Sequence, residues 1–290
     1  MTRFLFVLWT VGFAFCVPSK TAAQSRFSKD QQLVIAAFEL DVANVKSLLA
    51  QGANPNARLG IYDQQLFEDK WTLGYSHIGS DKWTPLLAVA NSHRAPQPKD
   101  RAENTPEGRD AALKKLDAVD PKLIRQRDER RIEIAKLLMA AEANLDLDDG
   151  HGATALSASV YNDFDGLSLL LIDAGAEINT KTGIYIDGPD GITPVHRAIS
   201  QPAVLKAMLK RGANVNVKDS TGDTPLHWAA REQNVASVKM LLAGGADPSA
   251  KDTEGRAPGY WCQTYGGISS PGDAEKREIL KLLSDAQAKK

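Results

Sequence analysis

The 290-residue sequence contains only two cysteines, which excludes a disulfide scaffold. It also lacks a surplus of charge: 35 Lys and Arg face 36 Asp and Glu, and a net charge of −1 gives no bulk attraction to nucleic acid or anionic lipid. Its N-terminal apolar run, Phe4 to Val17, has 14 residues, short of the roughly 20 that a membrane-spanning helix needs. The sequence has no His-Glu-x-x-His zinc motif, phosphate-binding glycine loop or Gly-x-Ser-x-Gly elbow. What it does have, 43% hydrophobic and 24% charged residues, is the composition of a folded protein and excludes disorder or collagen-like order. At roughly 150 residues per domain, the length suits two compact domains or one elongated array.

Arg3 precedes the apolar run, and Pro18 and Thr21-Ala22-Ala23 follow it. Charge, short hydrophobic core and small residues in that order read as a secretory signal peptide over residues 1–23, cleaved after Ala23. An uncleaved tether is the weaker reading. Phe15, before Cys16, is too bulky for a lipoprotein cleavage site. The expected location is therefore periplasmic or secreted, with no stable membrane insertion. Cleavage leaves 33 basic against 36 acidic residues, a charge of −3, and Cys262 as the one remaining thiol.

A phrase recurs along the chain. Asp219-Ser-Thr-Gly-Asp-Thr-Pro-Leu-His-Trp-Ala-Ala230 matches Asp190-Gly-Ile-Thr-Pro-Val-His-Arg-Ala198, with looser copies at Trp83-Thr-Pro-Leu-Leu-Ala-Val-Ala90, Gly152-Ala-Thr-Ala-Leu-Ser-Ala-Ser159 and Gly255-Arg-Ala-Pro-Gly-Tyr-Trp-Cys262. Apolar helical stretches alternate with the phrase and end in a Gly-Ala-Asn type signal, as at Gly52, Glu142, Gly175, Gly212 and Gly245. Thr before Pro is an N-cap followed by proline at the first helical position, where a missing N–H costs nothing. The closing glycine supplies a left-handed turn. Each helix pair leaves an apolar flank that only a neighbouring pair can cover, so the copies must stack.

On these residues, above all Thr193-Pro-Val-His196 and Thr224-Pro-Leu-His227, the chain resembles ankyrin-repeat proteins of a secreted bacterial type. The resemblance covers about residues 30–285 of the domain 24–290. It implies an all-α solenoid of about six helix-pair units, at about 30–58, 81–148, 149–181, 190–218, 219–251 and 252–285. The first unit lacks the Thr-Pro phrase. The sixth, with Ala257-Pro258-Gly259 and an interrupted second helix, reads as a C-terminal cap. The resemblance also implies that His196 and His227 tie neighbouring loops together. It places Ala88 and Asn91, Ala158 and Tyr161, Arg197 and Ser200, Trp228 and Arg231, and Trp261 and Thr264 on a concave groove. Arg197, Trp228 and Trp261 would then form an exposed ladder across three units.

Three insertions break the period. Leu59 to Lys82 carries Tyr62, Phe67, Trp71 and Tyr75, and Lys181 to Pro189 repeats Gly60-Ile61-Tyr62 as Gly183-Ile184-Tyr185. Their aromatics either form one patch with the groove or fold back over the stack's apolar edge. The third, residues 92–129, lies in a stretch from Arg94 to Arg131 holding 11 basic and 8 acidic residues, net +3 against −6 for the rest of the mature chain. It reads as a solvated face, mixed in sign and without an aromatic to stack a base. Asp120-Pro121 reads as the cap and first turn of a helix running into Ile132–Ala141.

No cofactor or metal is expected. His151 beside Asp146, Asp148 and Asp149 misses the calcium-loop spacing and reads as a hairpin tip. Cys262 aligns with Ala229, a packing position, and reads as an inert core thiol. The chain is thus expected to be a monomeric, non-catalytic module that binds a protein through Tyr161, Arg197, Trp228, Arg231, Trp261, Tyr62, Trp71 and Tyr185. An inhibitor, immunity or accessory protein for a periplasmic enzyme or toxin is the sharper alternative. A hydrolase with an insertion lid is the remote one.

Overall fold

The computed structural model describes residues 27–59, 82–92, 121–182, 189–264 and 273–289. Among these residues are twelve α-helices: α1 (Lys29–Phe38), α2 (Val42–Ala50), α3 (Pro85–Ala90), α4 (Pro121–Ala140), α5 (Ala155–Tyr161), α6 (Asp165–Asp173), α7 (Pro194–Arg197, continued as a 3₁₀ turn Ala198–Ser200), α8 (Pro202–Lys210), α9 (Pro225–Arg231), α10 (Val235–Ala243), α11 (Pro258–Thr264) and α12 (Asp273–Gln287). Odd-numbered helices pack on one another in one column and even-numbered helices in a second, with each pair packed internally. This is the expected all-α solenoid of six helix pairs. One continuous core runs through it, from Leu33 and Leu86 to Ile279 and Leu283.

The recurring phrases start and stop these helices for local reasons. Thr84 Oγ1 accepts the Leu87 N–H at 3.2 Å and Thr154 Oγ1 accepts that of Ser157 at 3.3 Å, so each threonine satisfies a donor that its helix leaves open. At the other end, five of the even helices close with one bond pattern. Ala213 N donates to Met208 O and Gly212 N to Leu209 O, each at 3.0 Å, with Gly212 at φ 80°. Position for position, Glu142 does the same work at φ 62°, without glycine's freedom. The Asn that follows then zips the units together: the Asn144 N–H reaches Asn56 Oδ1, Asn214 N–H reaches Asn179 Oδ1 and Asp247 N–H reaches Asn216 Oδ1, at 2.6 to 2.9 Å. The first of these bonds spans 88 residues of sequence and is still one step of the stack, so units one and two stay in register.

Two readings of the sequence need correction. The charged stretch that ends at Arg131 is not uniformly a solvated face. Arg131 is buried, with its guanidinium 3.8 Å over the Phe164 ring, its Nε donating to Ser92 Oγ at 2.9 Å and its Nη1 to Asp128. Burial pushes this guanidinium down to about 10, against the opposing pull of Asp128. Ser92 and Arg131 bracket the charged insertion, so the clasp closes its base. Nor is the sixth unit's second helix interrupted: α12 is continuous over 15 residues, and the extra chain precedes it.

Candidate functional site

The hairpins that precede the odd helices are folded by aspartates. Asp149, Asp219 and Asp252 each fold a hairpin by accepting two backbone N–H groups on one carboxylate oxygen; for Asp219 these come from Thr221 at 2.9 Å and Asp223 at 3.0 Å. In the Asp149 hairpin one donor is His151 N, so this stretch is a hairpin tip; among the described residues no group of His, Cys, Asp and Glu is arranged to hold a metal. Successive hairpins join through Ser220 N–H to Asp190 O at 2.7 Å and Thr253 N–H to Thr221 O at 3.0 Å.

Two histidines strengthen that edge. His196 Nδ1 accepts the Thr193 N–H at 3.2 Å, which places the proton on Nε2, and Nε2 donates to Asp223 O at 3.2 Å in the next hairpin. His227 repeats this with Thr224 N–H at 3.1 Å and Arg256 O at 3.2 Å. Burial lowers both imidazoles, that of His196 to about 4. With both nitrogens of His227 engaged, that ring cannot take a proton from Cys262. The thiol is buried, donates to Ala230 O at 3.3 Å, and is pushed up to about 11 by burial.

The structure brings together five residues named from the sequence. Arg197 lies 5.0 Å over the Tyr161 ring and 5.3 Å over Trp228; Arg231 lies 5.2 Å over Trp228 and 5.3 Å over Trp261. Arg256 extends the series, 4.5 Å over Trp261 and 5.4 Å over Tyr260. Aromatic rings and guanidiniums thus alternate across units three to six, each contact worth about 0.5–1 kcal/mol where solvent reaches it. Carboxylates steady the series from the hairpins: Asp223 pairs with Arg231 at 3.1 Å and Asp252 with Arg256 at 2.7 Å. Burial pushes the Asp223 carboxyl up, against the opposing pull of His227 and Arg231.

Trp228 departs from the expected open exposure. Only 7% of it is exposed, because its Nε1 donates to Asp219 Oδ2 at 3.0 Å and its ring sits edge-on to His196 at 5.6 Å. It is the buried keystone of the row, while Arg197, Arg231, Trp261 and Tyr161 are half-buried. Tyr62, Trp71 and Tyr185 lie outside the described residues. The bases of their two insertions are alike: Leu59 pairs with Trp83 and Thr182 with Ile192 in isolated antiparallel bridges.

Arg256 and Tyr260 went unnamed at the sequence level, although alignment of the last unit points to them. Arg256 stands where unit five has Asp223, and Tyr260 stands where it has His227. Tyr260 is 42% exposed in the sixth unit.

Comparison with known proteins agrees with this geometry. A family model described as ankyrin repeats, three copies, matches residues 183–252. Residues 183–252 carry ankyrin repeats. Neurogenic locus notch homolog protein 1 of Homo sapiens is 34% identical over 107 residues, covering 36% of this chain and 4% of that protein. Rabankyrin-5 of Mus musculus is 31% identical over 114 residues, covering 36% of this chain and 10% of that protein. The ankyrin stack thus corresponds to a small part of each. Among solved structures, a chain from the complex of the Bd0816 predatory endopeptidase of Bdellovibrio bacteriovorus with immunity protein Bd3460 superimposes with a TM-score of 0.54 at 23% identity, over 89% of this chain and 98% of that one. No described helix is long and apolar enough to cross a membrane.

Proposed function

We propose that this ankyrin protein is a non-catalytic interaction module that captures a partner protein along the concave face of units three to six. The continuous row from Tyr161 to Tyr260 carries the reading. Tryptophan, tyrosine and arginine are the residues that most often dominate interface energies, and here they are held in place before a partner arrives. Asp223, Trp228 and Trp261 hold Arg231, and Asp252, Trp261 and Tyr260 hold Arg256, while leaving 29% and 23% of their side chains in solvent. An interface formed here loses little side-chain entropy.

The location proposed for this binding is the periplasm or secreted space, on the strength of Arg3, the Phe4–Val17 run and Ala23. Inhibition of, or immunity towards, an enzyme in the same compartment is a second reading, favoured by the likeness to a chain of the endopeptidase–immunity protein complex. Fold likeness carries no partner identity.

Affinity capture from a periplasmic extract, with mass spectrometry, tests both readings. One partner retained by the native protein and lost with Arg197→Ala and Trp261→Ala, at unchanged thermal midpoints, is the expected result. A partner retained undiminished by both variants counts against the groove. If that partner is a hydrolase whose activity falls on binding, the inhibitor reading stands; if its activity is unchanged, that reading falls.

A further inference from the structure

The hairpins before α9 and α11 bury three carboxylates, Asp219, Asp223 and Asp252. Two of them are fully engaged. Asp219 Oδ1 accepts the N–H groups of Thr221 and Asp223 and the Thr221 hydroxyl, and its Oδ2 accepts from Trp228. Asp252 Oδ1 accepts the N–H groups of Glu254 and Arg256, and its Oδ2 accepts Arg256 Nε–H at 2.7 Å. Asp223 is different. Its Oδ2 holds Arg231 at 3.1 Å, while its buried Oδ1 accepts no hydrogen bond from the described residues. An ionised carboxylate out of water with one oxygen bare is poorly compensated. Units three, four and six have Ala153, Ile192 and Arg256 at this register, so the arrangement belongs to unit five.

The charges facing Asp223 come from both hairpins and from α9. Asp219 and Asp252 repel its charge, and His227 and Arg231 attract it. His227 has both nitrogens engaged, by Thr224 N–H and Arg256 O, and His196 reaches the Asp223 backbone carbonyl, so neither imidazole donates to the carboxylate. Arg256 is held by Asp252 and Glu254. Burial pushes the Asp223 carboxyl up, against His227 and Arg231. At Asp252 burial acts the same way but is outweighed by hydrogen bonds from Arg256 and Glu254, which hold that carboxyl below the usual range.

We propose that the Asp223–Arg231 pair is a proton-operated catch within the row. In mild acid Asp223 takes a proton from solvent onto Oδ1, the ion pair is lost, and the guanidinium leaves its fixed position over Trp228 and Trp261. Asp252–Arg256 stays closed and keeps the far end of the row in place. That the catch governs partner capture rests on the row being the binding face; mild acid then weakens capture by freeing a guanidinium that was held ready. Opening the catch is distinct from unfolding. A carboxyl raised by folding binds its proton more tightly in the folded chain, so its ionisation costs stability at neutral pH, and that cost is relieved as pH falls through the folded value. His196 acts in the opposite direction.

NMR titration of the full chain from neutral pH to about pH 4, read at the Asp223 and Asp252 carboxyl carbons and the Arg231 and Arg256 Nε–H groups, tests this. The Asp223 carbon should titrate at higher pH than that of Asp252, with the Arg231 signal moving at the same midpoint and the Arg256 signal staying in place. Asp223→Asn should put the Arg231 signal at its acid position already at neutral pH and abolish its titration. An Arg231 signal that ignores the Asp223 titration, an Asp223 carboxyl that titrates at or below Asp252, or an Arg231 titration that survives Asp223→Asn overturns the catch. The native chain alone decides the first two, whether or not the variant folds. A catch that opens on titration without releasing the partner captured at neutral pH would instead place the binding face elsewhere.

Discussion

In units two and three the first helix places Ala88 and Ala158 at the register where units four, five and six place Arg197, Trp228 and Trp261. The fourth residue of the recurring tetrapeptide divides the same way: Leu87 and Ser157 on one side, His196 and His227 on the other. Yet the helix-closing bonds at Ala143 and Ala213 match, and the Asn zipper runs through both halves. The shared caps and zipper make the stack. What differs is its finish: in the second half, imidazoles tie the hairpins and the odd helices carry a continuous row of rings and guanidiniums.

The largest expected effect breaks that row at its keystone. Trp228→Ala removes a buried indole and strands Asp219 Oδ2, and should cost about 3 kcal/mol or more in urea unfolding. Arg231→Ala, next in the row and 29% exposed, takes a cation from the buried Asp223 carboxylate and should cost less, about 1–2 kcal/mol. Equal small losses would mean that the second half carries its tryptophan as a surface group, as the sequence alone suggested.

Acid separates the halves next. His196 titrates near 4 folded and near 6.5 unfolded, so it has no effect above pH 6.5, where both states are neutral. Below that the unfolded chain takes up a proton that the folded one refuses, and stability falls until about pH 4, by on the order of 3 kcal/mol. His227 acts in the same direction. Hydrogen exchange at pH 5 should therefore show units four and five loosening before units two and three, and His196→Gln should flatten the pH dependence. Uniform loosening would show that the imidazole ties do not set the difference.

How much of this was legible in the sequence follows from where each signal lies. Thr-Pro, the closing glycines and the leucine spacing act within one unit, so helices and stacking could be read directly. The row was half legible: register placed Arg197, Trp228 and Trp261 together, but the depth of Trp228 depends on Asp219, nine residues away across a hairpin. Arg131 was misread because a charge count cannot show that Phe164 and Ser92 close around one guanidinium. Arg256 was overlooked because the last unit has lost the tetrapeptide that marks the register.

A smaller effect compares two glycines at one register. Gly191 and Gly222 have φ of 75° and 80°, so alanine strains each alike, by about 1 kcal/mol. An added Cβ at Gly191 would rest 3.8 Å from Asp219 Cα, an ordinary contact, whereas at Gly222 it would meet Thr253 N at 2.7 Å. Gly222→Ala should therefore destabilise by about 1–3 kcal/mol more than Gly191→Ala in thermal unfolding. A difference near zero would mean that the last two hairpins separate without cost.

The smallest effect lies in the first half and has the opposite sign. Glu142 is an exposed residue at φ 62°, at the position where Gly52, Gly175, Gly212 and Gly245 turn the other chain ends. Its backbone makes the same closing bonds, Glu142 N–H to Met139 O at 3.0 Å and Ala143 N–H to Leu138 O at 2.9 Å, so the motif forms in spite of the left-handed strain. Glu142→Gly removes that strain while adding freedom to the unfolded chain, and the two nearly offset. The net expectation is a gain of no more than about 0.5 kcal/mol in unfolding free energy, read by urea denaturation. Because the site lies far from the row, the gain should appear without any change in partner capture. A stabilised variant that bound less would show that the plain half of the stack contributes to recognition after all.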